Sequence, residues 1–170
     1  MADDVSARVS SGLPGLDEIT NGGFVGGRSY MVAGESGTGK TIVGYHFLEA
    51  GNRRDESTLY VAFEEAEADI RSNAAALGID LDDTTVLDLS PSPDRFLEDS
   101  TYSVFSPSEV EGQSVTERIV DAVESTDPDR VFVDPLNQLR HLTPDGYQFE
   151  QTAAGLMSYL KERGTTVLFS

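Results

Sequence analysis

The sequence predicts an α/β fold, a mostly parallel twisted sheet with helices on both faces. Two observations carry this. Short β-rich apolar runs alternate along the chain with longer helical runs that end at glycines, and such alternation buries a parallel sheet beneath crossover helices. The first strong strand–helix junction is a glycine-rich loop, and two later strands end in acids, so the chemistry-bearing residues gather where strands finish. Right-handed crossovers bring those strand ends to one edge of the sheet, the edge where such folds take ligands.

Taken in order, residues before about 28 are rich in glycine and turns, and Gly12-Leu13-Pro14-Gly15-Leu16-Asp17-Glu18-Ile19 predicts a turn and a short helix. Ser29 to Ala33 predicts a buried strand, and Thr41 to Ala50 a helix stopped by Gly51. Thr58 to Phe63 is a second strand and runs into Glu64-Glu65. Ala66 to Leu77 reads as a helix with Ile70, Ala74 and Leu77 on one stripe and Gly78 as its stop. Thr84 to Leu89 is a third strand. Residues 90–112 dissolve into Ser, Pro, Asp and Glu, with Phe96, Tyr102, Val104 and Phe105 interspersed. They predict a long acidic loop inside a single domain of residues 1–170, either pinned by its aromatics or partly disordered. Ser114-x-x-Glu117 predicts a capping box that opens a helix to about Ser125. After a turn at Asp127-Pro128-Asp129 come the strand Arg130 to Asp134, a helix from Tyr147 to Arg163 ended by Gly164, and a last strand, Thr165 to Phe169. No internal repeat is visible.

The glycine-rich junction is Gly34-Glu35-Ser36-Gly37-Thr38-Gly39-Lys40-Thr41, a complete GxxxxGK[ST] pattern. Glycines let the backbone curl until several N–H groups face one anion. The helix that follows adds the positive end of its dipole. Lys40 supplies a mobile charge for β- and γ-phosphates, and the Thr41 hydroxyl can ligate Mg²⁺. All eight residues are candidates for holding a nucleotide, with ATP and Mg²⁺ as the expected cofactors.

Hydrolysis needs further carboxylates. Asp134 closes an apolar strand, where a buried acid without a partner costs several kcal/mol, so a hydrated metal ion suits it. Glu64 and Glu65 follow another apolar strand and belong on the same edge. One of them can polarise the attacking water while the other supports it, and the sequence leaves open which. The weaker candidates read as structural. His46 sits among apolar helix residues, His141 lacks a partner at metal spacing, and Arg71 reads as a solvated helix residue. Arg140 reads evenly as a phosphate or subunit contact and as an exposed loop residue. Phe96, Tyr102 and Phe105 read as pins for their own loop.

Composition bounds the rest. A chain of 170 residues is one domain by size. The absence of cysteine excludes a disulfide framework and a thiolate metal site. No apolar run reaches the roughly 18 residues needed to span a bilayer, and Met1-Ala2-Asp3-Asp4 is not the start of a signal peptide. The expectation is a soluble cytoplasmic protein with no membrane partner. Twelve basic and 30 acidic residues give a net charge of -18, which disfavours nucleic acid. Two explanations compete, a specific basic partner and adaptation to a high-salt cytoplasm. The even spread of acid and the scarcity of lysine favour the second. Salt adaptation predicts that folding strengthens from dilute to molar KCl; a chain fully stable in dilute buffer rules it out.

Several segments together resemble KaiC-like ATPases of the RecA superfamily: Gly12 to Glu18, Gly22-Gly23-Phe24, Gly27-Arg28, the glycine loop, Phe63-Glu64-Glu65 with Asp69 to Ala74, Asp129 to Asp134, and Glu162 to Leu168. The match covers nearly the whole chain in the right order. The resemblance implies a RecA-like core, ATP with Mg²⁺, and a homo-oligomer, a ring or filament with nucleotide between subunits. It gives Lys40 and Thr41 to phosphate and Mg²⁺, Glu64 and Glu65 to a catalytic glutamate pair, and Asp134 to the Walker B position. Pro135 departs from the pattern, since a small hydroxyl residue often follows that acid. The family core also continues beyond a strand such as the one ending at Ser170, so a C-terminally incomplete domain is expected. The leading functional expectation is Mg-dependent ATP hydrolysis in a regulatory or signalling ATPase, with a signalling protein as a possible partner. A nucleotide-gated module with little hydrolysis and a recombinase-like DNA-dependent ATPase are the alternatives.

Overall fold

In the central strands, alternate side chains enter opposite layers. Leu59, Val61, Val131, Val133, Val167 and Phe169 face one helical layer, whereas Tyr60, Phe132 and Leu168 face the other. This period of two follows from the pleat. Burial on both faces explains why these strands read as continuous apolar runs.

The computed structural model describes residues 7–91, 107–140 and 146–170, with the backbone alone for 107–114. The elements run β1 (Arg8–Val9), α1 (Pro14–Ile19), β2 (Phe24–Val25), β3 (Ser29–Met31), α2 (Lys40–Asn52), β4 (Thr58–Ala62), α3 (Glu67–Ala76), β5 (Thr85–Asp88), α4 (Pro107–Thr126), β6 (Arg130–Asp134), a 3-10 turn (Leu136–Arg140), α5 (Gly146–Glu162) and β7 (Thr166–Phe169). The main sheet has the order β3-β7-β6-β4-β5, and every pairing in it is parallel. β1 and β2 form a separate antiparallel pair. The expected α/β fold is therefore present, with α2 and α3 packed on one face through Tyr45, Phe47, Leu48, Ile70 and Ala74. α4 and α5 cover the other through Val115, Ile119, Val123 and Leu160. Burying each of these larger side chains contributes about 1.5–3 kcal/mol.

Parallel register aligns the strand ends. Ala62 pairs with Asp134, and Met31 with Phe169. The loop after β3, the acids after β4, Asp134 and Ser170 thus meet along one rim.

Several details depart from the sequence reading. β3 is an edge strand and not a buried one. Among the described residues it pairs with β7 on one side only, and Met31 is 60% exposed. Gly51 lies inside α2 and does not stop it. A Cβ there would stand 2.8 Å from Arg130 Cδ and Thr58 Cγ2, so the glycine is a close approach of helix to strand. Gly78 and Gly164, by contrast, take the left-handed conformation expected of helix stops. α4 begins at Pro107, so residues 107–112 are helical and Ser114-x-x-Glu117 stands inside the helix instead of capping it. Proline suits a first helical turn, and the S-x-x-E pattern marks a cap only where the chain before it is not helical. Arg71 is more than a solvated residue. It bonds Glu67 Oε1 and the carbonyls of Leu81 and Thr84, tying α3 to the turn before β5. Arg95, Phe96, Tyr102, Val104, Phe105 and His141 lie outside the described residues.

α3 takes its cap from elsewhere. Ala66, just before it, has no capping side chain, and Asp88 Oδ2 accepts the Glu67 N–H at 2.9 Å instead. Burial pushes the Asp88 carboxyl up. The Ser90 hydroxyl, the Glu67 and Ser90 amides and the Arg118 charge outweigh that and hold it below the usual carboxylate range.

Candidate functional site

The glycine loop leaves β3 at the sheet rim and enters α2. Gly39 takes φ +90° immediately before the helix, a left-handed conformation that a side chain disfavours. The turn it makes directs the unbonded N–H groups of the first helical turn toward the space above the rim. Gly34, Ser36, Gly37, Gly39, Lys40 and Thr41 line a cavity of about 760 Å³. Glu35 and Thr38 brace the loop from within, because Thr38 Oγ1 donates to the Glu35 carbonyl at 2.7 Å. Lys40 Nζ donates to the carbonyls of Gly34 at 2.9 Å and Glu35 at 2.8 Å. Its ammonium is thus folded back over the loop it follows.

Across the cavity stands Asp134, at the end of β6. Thr41 Oγ1 donates to Asp134 Oδ2 at 2.7 Å, Tyr60 Oη donates to the same oxygen at 3.0 Å, and the Ser170 hydroxyl donates to Oδ1. Burial, then the Asp134 charge, pushes the Tyr60 phenol far above its ordinary range, so it remains a donor at any working pH.

The glutamate pair divides. Glu64 lines the cavity, and Gln138 Nε2, on the 3-10 turn after β6, donates to Glu64 Oε1 at 2.6 Å. Glu65 points toward α2 and α3, where Tyr45 Oη and Asn73 Nδ2 each stand 3.5 Å from its Oε2. Burial, then the Glu65 and Asp134 charges, raises the Tyr45 phenol as well. His46 lies on α2 with Nδ1 3.9 Å from Glu49 Oε2, and Arg140 is exposed at the end of the 3-10 turn. Neither lines the cavity.

The donor set suits a small hard cation that arrives with its ligand. Among the described residues no group of three or more His, Cys, Asp or Glu side chains converges as a metal cage. One hydroxyl and one carboxylate converge instead, which matches Mg²⁺, an ion that keeps waters and takes substrate phosphate oxygens.

Tyr60, Ser170, Gln138 and Tyr45 were not anticipated as site residues. Tyr60 and Tyr45 look like core aromatics in sequence, and Gln138 and Ser170 carry no motif. The available signal is position alone, since each lies on or just after an element that begins or ends at the rim.

Fold and site together define a phosphate-loop NTPase with a RecA-type parallel core. A family model described as "ATPase: KaiC" matches residues 9–170. The chain belongs to the KaiC ATPase family. It is 31% identical over 170 residues to the circadian clock oscillator protein KaiC of Parasynechococcus marenigrum (strain WH8102), covering 96% of this chain and 32% of that protein. It is 40% identical over 94 residues to KaiC of Prochlorococcus marinus (strain MIT 9313), covering 51% of this chain and 19% of that protein. KaiC of Prochlorococcus marinus subsp. pastoris is 31% identical over 170 residues, covering 96% of this chain and 32% of that protein. The chain thus spans about a third of the length of the full-length matches. No helix among the described residues is long and apolar enough to cross a membrane.

Proposed function

We propose that this chain binds ATP with Mg²⁺ and hydrolyses it as one ATPase domain of a KaiC-like regulatory protein. One observation carries the reading: Lys40, Thr41, Glu64 and Asp134 come from three separate segments and converge on a single rim cavity. The loop amides and the start of α2 hold the phosphates. Lys40 exchanges its carbonyl partners for phosphate oxygens. Thr41 and Asp134 would hold the metal, Thr41 through its hydroxyl and Asp134 through the carboxylate beside it. When bound, Mg²⁺ would supply positive charge against the negative charge of the phosphoryl groups. Glu64, oriented by Gln138, polarises the attacking water. Glu65, held by Tyr45 and Asn73, supports the turn that presents Glu64. A site that draws on ATP and Mg²⁺ belongs in the cytoplasm, where both are supplied. The exposed loop and the open rim suit a homo-oligomer in which a neighbouring copy closes over the nucleotide.

The two glutamates separate in kinetics. Glu64→Gln keeps nucleotide affinity and loses turnover by about 10²–10⁴, the usual contribution of a general base. Glu65→Gln loses roughly tenfold, since it acts through the position of its neighbour. Phosphate release with ATP and Mg²⁺, beside nucleotide titrations of the same samples, measures both. A Glu65→Gln loss larger than that of Glu64→Gln reverses the roles, and full turnover in both variants removes the pair from the mechanism.

A further inference from the structure

Tyr60 occupies a place that packing alone would give to phenylalanine. Tyr60 is 2% exposed, with its ring 5.0 Å from the Phe132 ring and 6.1 Å edge-on from Tyr45. These neighbours fix the ring, and the ring fixes the direction of the hydroxyl. That hydroxyl reaches Asp134 Oδ2 at 3.0 Å. A carboxylate turns easily about its last torsion. Asp134 is held against turning by three hydroxyls, those of Thr41, Tyr60 and Ser170. Thr41 belongs to the phosphate loop and Ser170 follows the end of β7, whereas Tyr60 stands within β4, a strand paired on both sides.

We propose that Tyr60 is a positioning residue for the metal, its hydroxyl holding the Asp134 carboxylate against Thr41 and so setting the affinity of the rim for Mg²⁺. The inference rests on the nucleotide-and-Mg²⁺ reading above. The Thr41 O–H donates a hydrogen bond to Asp134, which leaves its oxygen lone pairs free for the cation. That arrangement requires Oδ2 to stay where Tyr60 keeps it. Residues that orient metal ligands from behind typically govern 10- to 100-fold in metal affinity.

The test is a Mg²⁺ titration of fluorescent ADP-analogue binding, run on the wild type, Tyr60→Phe, Asp134→Asn and the double variant. Tyr60→Phe keeps the buried ring, and thermal melts of each sample confirm the fold. The expected result is unchanged analogue binding in EDTA and a Mg²⁺ midpoint raised about tenfold. In the Asp134→Asn background the same substitution produces no further rise, which a merely structural role for the hydroxyl would not predict. A Tyr60→Phe midpoint within twofold of wild type overturns the proposal, as does an equal shift in both backgrounds. A wild type that binds the analogue with no response to Mg²⁺, or not at all, brings down the underlying reading and this inference with it. Mg²⁺-dependent binding indifferent to Tyr60 removes the inference alone.

Discussion

Lys40→Ala abolishes nucleotide binding, weakening it by at least ~100-fold, or about 2.8 kcal/mol at 1.4 kcal/mol per decade. Two effects oppose each other. The first is the loss of a point charge directed at phosphate oxygens, where a charged hydrogen bond contributes about 1.5–3 kcal/mol. Two such bonds already reach the predicted factor. The surroundings raise the stakes, because the chain carries a net charge of -18 and a triphosphate approaches against that field. The second acts on the free protein: Nζ bridges the carbonyls of Gly34 and Glu35, bonds that are given up on binding, so their absence in the alanine variant offsets a small part of the loss. Side-chain removal at a half-exposed position costs little stability, and the melting temperature without nucleotide stays within a few degrees of wild type. Calorimetric titration with ATP and Mg²⁺ reads the affinity. If the alanine variant binds ATP as tightly as wild type, this loop is not the phosphate cradle.

Much of the site was legible because its chemistry is local. A loop of eight consecutive residues needs no tertiary information, and Gly37 and Gly39 adopt the left-handed backbone that only their spacing announced. The ends of β4 and β6 were legible for a different reason. A buried parallel strand is a run of apolar residues, so the first acid after it marks the rim. What stayed hidden depends on neighbours far away in sequence. Glu64 and Glu65 are adjacent, and only the positions of Gln138, Tyr45 and Asn73 tell which faces the cavity. The exposure of β3 depends on where its strand falls in the sheet order, which alternation does not specify. Gly51 looked like a helix stop because glycine usually is one there. The Arg130 side chain that requires it is far away along the chain, and nothing near Gly51 announces the contact.

That arginine gives the largest expected effect on stability. Arg130→Ala destabilises the fold by about 3–5 kcal/mol, the range for breaking a buried ion pair from one side. Arg130 opens β6 and is 0% exposed. Its guanidinium pairs with Glu56 and donates through Nη1 to the carbonyls of Ser10 at 2.6 Å and Phe47 at 2.9 Å. It also lies over the Phe47 ring, 5.1 Å from the centroid. One side chain therefore joins the N-terminal segment, α2, the turn before β4 and the central sheet. Alanine takes a donor away from the Ser10 and Phe47 carbonyls, removes the partner of Glu56 and opens a cavity beside Gly51. With a slope of roughly 2 kcal/mol/M, the urea midpoint falls by about 1.5–2.5 M. Methionine separates charge from volume. Replacing a whole buried ion pair by apolar groups is often neutral, but Arg130→Met fills the space and still lacks the hydrogen bonds to the Ser10 and Phe47 carbonyls and the charge opposite Glu56. It should recover only part of the loss. The placement has a functional consequence as well. β6 meets α2 at both ends, through Arg130 near Phe47 and Gly51 and through Asp134 at Thr41. Loosening the far end frees the helix that carries the phosphate loop. Saturating ATP and Mg²⁺ should then restore part of the lost midpoint in Arg130→Ala, because ligand binds only the folded state. A variant with wild-type stability would show that the guanidinium is a passenger in the core.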